Sequence, residues 1–164
     1  MKNLMPKYNQ RRQTLLLSLP ALLLAACGGG GSNAPAPAPV GPSTLQTTDT
    51  LVGTGAVAAT GNTLTVNYTG WLYSSTAANF RGAQFDTSMG KQPFQFKLGA
   101  GSVIAGFDQG LVGMRVGGTR VLIIPSAMGY GAAGVPGLIP PNSGLVFSVE
   151  LLAVQRAAKC VRRT

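Results

Sequence analysis

Few side chains in this sequence of 164 residues could support acid–base, nucleophilic or metal chemistry. There is no histidine, so a Ser-His-Asp triad, a Cys-His pair and a histidine metal site are all excluded. The only Asp and Glu residues are scattered and show no metal-ligand spacing: Asp49, Asp86, Asp108 and Glu150. We therefore expect no metal ion.

Aromatic side chains are the more informative group. Taken singly, each fits a packed core, because apolar residues at alternating strand positions are usually buried. Tyr130 and the pair Leu138-Ile139 differ, since they fall in a Gly- and Pro-rich loop where a pocket rim is expected rather than a core residue. The residues alone leave two interpretations open, a core and a pocket, for Tyr68, Phe85, Phe94, Phe96, Phe107, Tyr130 and Phe147.

Strand patterns place most of these residues. Residues 64–72 alternate between apolar and polar side chains, and so do residues 94–98 and 145–154. Residues 119–124 contain the continuous apolar run Val-Leu-Ile-Ile, which predicts a well-buried strand. Residues 47–60 are typical of a turn-rich first segment, residues 73–82 of an exposed loop, and residues 129–143 of a loop rich in Gly and Pro.

One short amphipathic helix is predicted between the strand at residues 94–98 and the strand at residues 119–124. Gly101-Ser102 precedes it, and Ile104, Phe107, Leu111 and Met114 follow at intervals of three, four and three. Its internal glycines weaken it by roughly 1 kcal/mol each, so tertiary packing has to hold it. Because strands outnumber helices, we predict an α+β fold in which a curled antiparallel β-sheet wraps around one short α-helix.

The first 26 residues are typical of a secretion signal. Lys2, Lys7 and the pair Arg11-Arg12 precede an apolar stretch at residues 15–26, which is shorter than the roughly 20 residues needed to cross a bilayer. Leu24-Ala25-Ala26-Cys27 resembles a bacterial lipobox, which predicts lipidation of Cys27 and anchoring by acyl chains; an ordinary cleavage site is the alternative. Gly28 then favours the outer membrane facing the periplasm, and the arginine pair leaves twin-arginine export open.

The rest of the chain divides into three parts. Residues 27–42 form a linker rich in Gly, Ala and Pro, residues 43–156 one domain, and residues 157–164 a basic tail. The formal charge of +9 comes mostly from the two ends, so no nucleic-acid partner is expected. With Cys27 lipidated, Cys160 is an odd thiol that either pairs between chains or stays free.

Short blocks in a fixed order carry a family resemblance. They are Tyr68-Thr69-Gly70, Phe85-Asp86, Pro93 to Gly99, Val103-Ile104 with Gly106-Phe107, Tyr130-Gly131, and Leu145 to Leu152. This order, which spans about two thirds of the chain with its flanks, resembles the FKBP-type peptidyl-prolyl cis-trans isomerases. The resemblance implies the same curled sheet, and an apolar pocket that binds proline and needs no cofactor.

The resemblance also assigns residues to that pocket. It implies catalytic positions at Tyr68, Phe85, Asp86, Ile104, Phe107, Tyr130 and Phe147. Substrate-binding positions follow at Phe94, Phe96, Val103, Leu138 and Ile139. The Ile104 N–H and the Tyr130 hydroxyl would receive peptide carbonyls, and the Tyr68 hydroxyl would donate to the Asp86 carboxylate.

Several positions depart from the family pattern. Phe107 stands where many members have tryptophan, Met128 replaces a tyrosine, and Val135 replaces a histidine found in some members. The segment 87–92 is one residue shorter than in the smallest relatives, which leaves Lys91 to substitute for the arginine that often accompanies the aspartate.

The predicted function is peptidyl-prolyl isomerisation during the folding of exported proteins, by a monomer. Expected partners are proline-containing polypeptides and macrolides of the FK506 or rapamycin type. Two alternatives remain, a non-catalytic peptide-binding module or holdase with the same pocket, and a surface lipoprotein used in adhesion or assembly.

Overall fold

The structure, a computed structural model, describes residues 41–156. The signal at residues 1–26, Cys27, most of the linker and the tail at residues 157–164 therefore lie outside the described residues. Within residues 41–156, no helix has the length and apolar character needed to span a membrane.

The described residues form six strands, one α-helix and two single 3₁₀ turns. The turns lie at Ala78–Phe80 and Ser126–Met128. The remaining elements, in chain order, are β1 Gln46–Leu51, β2 Thr63–Tyr73, β3 Arg81–Thr87, β4 Phe94–Lys97, α1 Ala105–Gly110, β5 Thr119–Ile124 and β6 Leu145–Gln155.

All strand pairs in the sheet are antiparallel. The strand order is β1-β5-β6-β2-β3, and β4 also pairs with β2, next to β3 along the same strand. The long central pair β2 and β6 runs in register from Thr63 opposite Gln155 to Leu72 opposite Leu145, with one irregularity after Thr65. The predicted α+β class and antiparallel sheet are confirmed.

Two strands were not predicted. Residues 46–51, assigned mainly to a turn-rich segment, form edge strand β1, which pairs with β5 and has all six residues exposed. With neither face buried, the strand carries no apolar alternation that could reveal it. Strand β3 begins at Arg81, inside the predicted loop 73–82, and its pairing with β2 shifts register twice, which removes a regular period from the sequence.

Helix α1 is shorter than predicted, and its two glycines allow it to pack closely on β5. It ends at Gly110, although Leu111 and Met114 beyond it are still buried. A Cβ atom on Gly106 would overlap Ile124 of β5, and one on Gly110 would lie 2.7 Å from Leu122 Cδ2. The two glycines are one turn apart and let the helix approach β5 closely, which is the tertiary packing that the sequence required.

The core lies between α1 and the concave face of the sheet. Alternating residues of β2 and β6 point into it, including Leu64, Val66 and Val149, each 0% exposed. Leu122 and Ile124 of β5 are equally buried, whereas Val121 and Ile123 are only partly buried. The prediction of a well-buried β5 is therefore confirmed for Leu122 and Ile124 and wrong for the outer face of the strand. The inward residues bring the aromatic side chains to the centre of the concave face.

Candidate functional site

Three aromatic rings from three different elements meet at the centre of the concave face. Tyr68 comes from β2, Phe107 from α1 and Phe147 from β6, and none is more than 1% exposed. The Tyr68 ring centroid lies 6.2 Å from that of Phe107 and 6.3 Å from that of Phe147, and the two phenylalanine centroids are 5.4 Å apart. All three pairs are edge-to-face, an arrangement that aromatic rings prefer. We call these three residues the aromatic floor.

Further aromatic side chains extend the floor towards solvent. Phe94 and Phe85 are partly buried; Phe94 packs edge-to-face on Tyr68 at 5.8 Å, and Phe85 packs on Phe147 at 5.6 Å. Phe96, 6% exposed, stacks on Phe94 and contacts Phe107. Ring contacts thus join six residues of the predicted aromatic set: Tyr68, Phe85, Phe94, Phe96, Phe107 and Phe147.

Gly70 creates room for two of these rings. A Cβ atom at this position would lie 2.6 Å from Phe147 Cε1 and 2.8 Å from Phe85 Cζ. Both distances are too short for carbon atoms, so any larger residue would displace the rings. In the sequence Gly70 is only one residue of a motif, and this role becomes visible only in the folded chain.

The polar part of the site centres on Asp86. The Tyr68 hydroxyl donates to Asp86 Oδ2 at 2.6 Å, and the backbone N–H of Thr87 donates to Oδ1 at 2.8 Å. Lys91 Nζ lies 3.7 Å from Oδ1 and also donates to the Thr87 carbonyl at 2.9 Å. The predicted hydrogen bond from Tyr68 is confirmed, and so is the proximity of Lys91 to the carboxylate.

Two tyrosine hydroxyls in the site remain protonated over the physiological range. Burial raises the pKa of Tyr68, and the adjacent Asp86 carboxylate raises it further. Burial likewise raises the pKa of Tyr130 to about 12, with a contribution from the negative charge of Asp86. Both hydroxyls therefore keep their proton near neutral pH, and Tyr68 donates a hydrogen bond to Asp86.

The segment before α1 presents a backbone donor. Val103 and Ile104 are 0% and 2% exposed, and Ile104 is extended at φ −61° and ψ 147° as the N-cap of the helix. Its carbonyl accepts hydrogen bonds from the N–H groups of Phe107 at 3.0 Å and Asp108 at 3.1 Å. Within residues 41–156, the Ile104 N–H takes part in no backbone hydrogen bond.

Asp108 fixes the turn that leads to Ile104, a role that sequence reasoning missed. Its carboxylate accepts from the N–H of Gly99 at 3.0 Å and from that of Gly101 at 2.9 Å. Both glycines have positive φ, 76° and 66°, where residues with a Cβ are strained. The two glycines in the sequence signal such a turn, but their tie to the helix needs the folded chain.

The loop at residues 129–144 contributes residues of two kinds. Tyr130 is partly buried against the core, and Leu138 is 37% exposed. Ile139 is only 2% exposed and belongs to the core cluster, so the argument that a residue in this loop would not be core is wrong for Ile139. Reciprocal backbone hydrogen bonds between Val135 and Ile139, both 2.8 Å, satisfy the loop backbone and allow this burial.

Comparisons with known proteins give one consistent result. The family model described as FKBP-type peptidyl-prolyl cis-trans isomerase matches residues 55–152. An FK506-binding protein of Neisseria meningitidis serogroup A is 50% identical over 103 residues, covering 62% of this chain and 88% of that protein. The peptidyl-prolyl cis-trans isomerase FKBP53 of Arabidopsis thaliana is 53% identical over 95 residues, 58% of this chain but 19% of that protein.

A solved structure supports the same assignment. The peptidyl-prolyl cis-trans isomerase of Pseudomonas syringae pv. tomato superposes with a TM-score of 0.57 at 36% identity, covering 68% of this chain and 76% of that one. The residues matched by the family model, 55–152, include the aromatic floor, Asp86, Ile104 and the loop carrying Tyr130. The chain belongs to the family of FKBP-type peptidyl-prolyl cis-trans isomerases and is thereby an isomerase (EC 5.2.1.8).

Proposed function

We propose that this isomerase accelerates X-Pro bond rotation in exported polypeptides at the bacterial cell envelope, while held on the outer membrane by lipid on Cys27. The observation that carries the catalytic part is the convergence of Tyr68, Phe107 and Phe147 beside the Tyr68–Asp86 hydrogen bond. This is an apolar site with few, fixed polar groups, as expected for a pocket that binds a proline ring.

The reaction needs no proton transfer and no bond cleavage. Rotation about an X-Pro bond is slow because amide resonance gives the C–N bond partial double-bond character. An apolar environment disfavours the charge-separated resonance form and so favours the twisted amide. Each tenfold gain in rate needs about 1.4 kcal/mol of binding to the twisted state in preference to the planar one.

The proposed roles of the residues follow from chemistry and position. Phe85, Phe94, Phe107 and Phe147 enclose the proline ring, and Tyr68 and Asp86 hold each other in place at the wall of the pocket. The Ile104 N–H and the Tyr130 hydroxyl donate hydrogen bonds to peptide carbonyls of the substrate. The raised pKa of Tyr130, about 12, supports its role as a donor.

The cellular context rests on the N-terminal sequence. The cationic and apolar signal, the Leu24-Ala25-Ala26-Cys27 motif and the following linker support export and lipid anchoring. The clients would then be proline-containing polypeptides that fold outside the inner membrane. FK506-type macrolides are expected to compete for the same pocket, since the Neisseria relative is named an FK506-binding protein.

The catalytic proposal is tested on a short X-Pro peptide with the purified full chain. We expect faster cis–trans exchange by NMR, and loss of this effect when FK506 is added. A matched pair of variants, Tyr130→Phe in the pocket and Tyr73→Phe outside it, should reduce catalysis only in the first. If the chain binds the peptide without changing the exchange rate, the non-catalytic binding module replaces this proposal.

The anchoring proposal has its own test. Cells producing the full chain and its Cys27→Ser variant are grown with labelled palmitate, and the membranes are separated by density. We expect label and outer-membrane fractionation for the parent chain and neither for the variant, with Cys160→Ser behaving like the parent. Recovery of the unlabelled parent in the soluble periplasmic fraction would overturn lipid anchoring.

A further inference from the structure

A concavity lies between the end of β2 and the loop after β5. Its volume is about 450 Å³, within the range of ligand-binding pockets. All nine residues lining it lack polar side chains, and four of them are Val135, Pro136, Leu138 and Pro140, with Leu72 on the opposite wall. We call this concavity the loop groove.

The chain enters the described part next to the loop groove. A Cβ atom on Gly41 would lie 3.0 Å from Gly144 Cα and 3.8 Å from Tyr73 Cγ. Gly144 follows the loop that forms one wall, and Tyr73 follows Leu72, which forms the other. The Tyr73 N–H donates to the Gly144 carbonyl at 2.9 Å, which ties these two neighbours of Gly41 together. Gly41, the first described residue, therefore lies next to both walls of the groove.

Those preceding residues suit an apolar groove. Residues 34–40 read Ala-Pro-Ala-Pro-Ala-Pro-Val and contain no polar side chain. Proline has no backbone N–H, so every second residue of the repeat brings no donor that a groove without polar side chains would leave unsatisfied. Alternating proline also favours the polyproline II conformation, which lowers the entropy lost on binding.

Residues 34–39 are long enough and close enough to Gly41 to reach the loop groove. Residues 34–39 are separated from Gly41 by Val40 alone, and six residues of polyproline II extend about 19 Å at roughly 3.1 Å per residue. We propose that residues 34–39 of this chain bind in their own loop groove. The linker thus acts as an intramolecular ligand in addition to being a spacer.

Tethering makes weak binding effective. A short flexible tether gives an effective concentration in the millimolar range, so a segment with modest intrinsic affinity still occupies the groove most of the time. The apparent affinity of any competing peptide falls by the fraction of free groove, about tenfold when one groove in ten is free.

The experiment compares the full chain with a variant that carries Pro35→Ser, Pro37→Ser and Pro39→Ser. Amide NMR signals of Leu72 and of the non-proline residues in the range 133–141 should shift between the two proteins. A synthetic Ala-Pro-Ala-Pro-Ala-Pro-Val peptide should bind the variant about tenfold more tightly than the parent chain. The matched control, Gly29→Ser with Gly31→Ser, alters the linker outside the repeat and should behave like the parent.

Two further observations decide between occupants. Adding Pro136→Glu to the triple variant should abolish binding of the synthetic peptide, because a charge then enters the groove. Unchanged NMR signals and equal peptide affinity in parent and triple variant would overturn the proposal. Shifts that grow with protein concentration, together with a dimer in sedimentation, would assign the groove to a second copy instead. Shifts without any isomerase activity would leave linker binding intact and refute the proposed function alone.

Discussion

The aromatic floor and the rim of the pocket are built in different ways. Tyr68, Phe107 and Phe147 of the floor come from two long central strands and the helix, and they are at most 1% exposed. The rim consists of Asp86 and Lys91, at and after β3, and of Tyr130 and Leu138 in the loop at residues 129–144. Strand β3 pairs with β2 in a shifted register, and Leu138 is 37% exposed. The floor is therefore part of the core, and changes there should affect stability and catalysis together. Changes at the rim should separate the two.

The largest effect is expected at the centre of the floor. Phe107→Ala removes a ring that is 0% exposed and contacts Tyr68, Phe96 and Phe147. Loss of buried apolar contact and the resulting cavity should lower the free energy of unfolding by about 3–5 kcal/mol and abolish isomerase activity. Urea unfolding and peptide exchange measure the two effects.

A matched phenylalanine provides the control for this prediction. Phe80 is 41% exposed and stacks on Tyr73 at 5.3 Å, outside the pocket. Phe80→Ala should cost about 1 kcal/mol or less and leave activity unchanged. A Phe107→Ala protein as stable as Phe80→Ala would show that the floor is not part of the core.

The next largest effect concerns the hydrogen bond between floor and rim. Tyr68→Phe keeps the ring but removes the donor that lies 2.6 Å from Asp86 Oδ2. Because the acceptor carries a charge and is largely buried, the free energy of unfolding should fall by about 1.5–3 kcal/mol. Tyr73→Phe removes the hydroxyl of a ring that stacks on Phe80 outside the pocket, and this variant should cost much less. Equal costs for the two variants in urea unfolding would contradict the importance of this bond.

The same contrast explains what the sequence could predict. Floor residues lie in β2, β6 and α1, where apolar periods of two and of three to four residues reveal both the element and its buried face. Edge strand β1 was not predicted because its six residues are all exposed, and β3 was not predicted because its register shifts twice. Both failures have a physical cause, because a strand without a regular buried face has no apolar periodicity in its sequence.

Rim residues depended on other information. The family resemblance assigned Tyr130 and Leu138 to the pocket. The burial of Ile139 could not be predicted without knowing that its backbone forms hydrogen bonds with Val135 in the same loop. The contact of Asp108 with Gly99 and Gly101 joins residues seven and nine positions apart, a pairing that neither strand nor helix periodicity encodes.

Asp108 tests whether the backbone before the helix has to be fixed for substrate binding. Asp108→Asn can retain only one oxygen acceptor for the two N–H donors, so a cost of about 1–2 kcal/mol in stability is expected. Because the turn leads to Ile104, the KM of a peptide substrate should rise while kcat changes less. Asp49→Asn, at the exposed ion pair with Arg120, should leave KM unchanged. A KM increase common to both variants would refute the positioning role.

The rim tyrosine gives a pH-dependent prediction. The pKa of Tyr130 is about 12 in the folded chain, above the ordinary value near 10, so its contribution to stability is complete below pH 10 and is lost as pH rises towards 12. Between pH 9 and pH 11, the free energy of unfolding should fall by about 1 kcal/mol more in the parent chain than in Tyr130→Phe. Identical falls in urea unfolding at the two pH values would contradict the raised pKa.

The smallest effect is expected at the outermost part of the rim. The Lys91 side chain is 45% exposed, and its Nζ atom lies 3.7 Å from Asp86 Oδ1. An exposed ion pair of this kind contributes about 0.5 kcal/mol or less, so Lys91→Gln should leave stability nearly unchanged at low and high salt. Tyr68 and the Thr87 N–H continue to hold Asp86, and activity should therefore persist. A loss of stability in urea unfolding as large as that of Tyr68→Phe would mean that Lys91, and not the floor, orients the carboxylate.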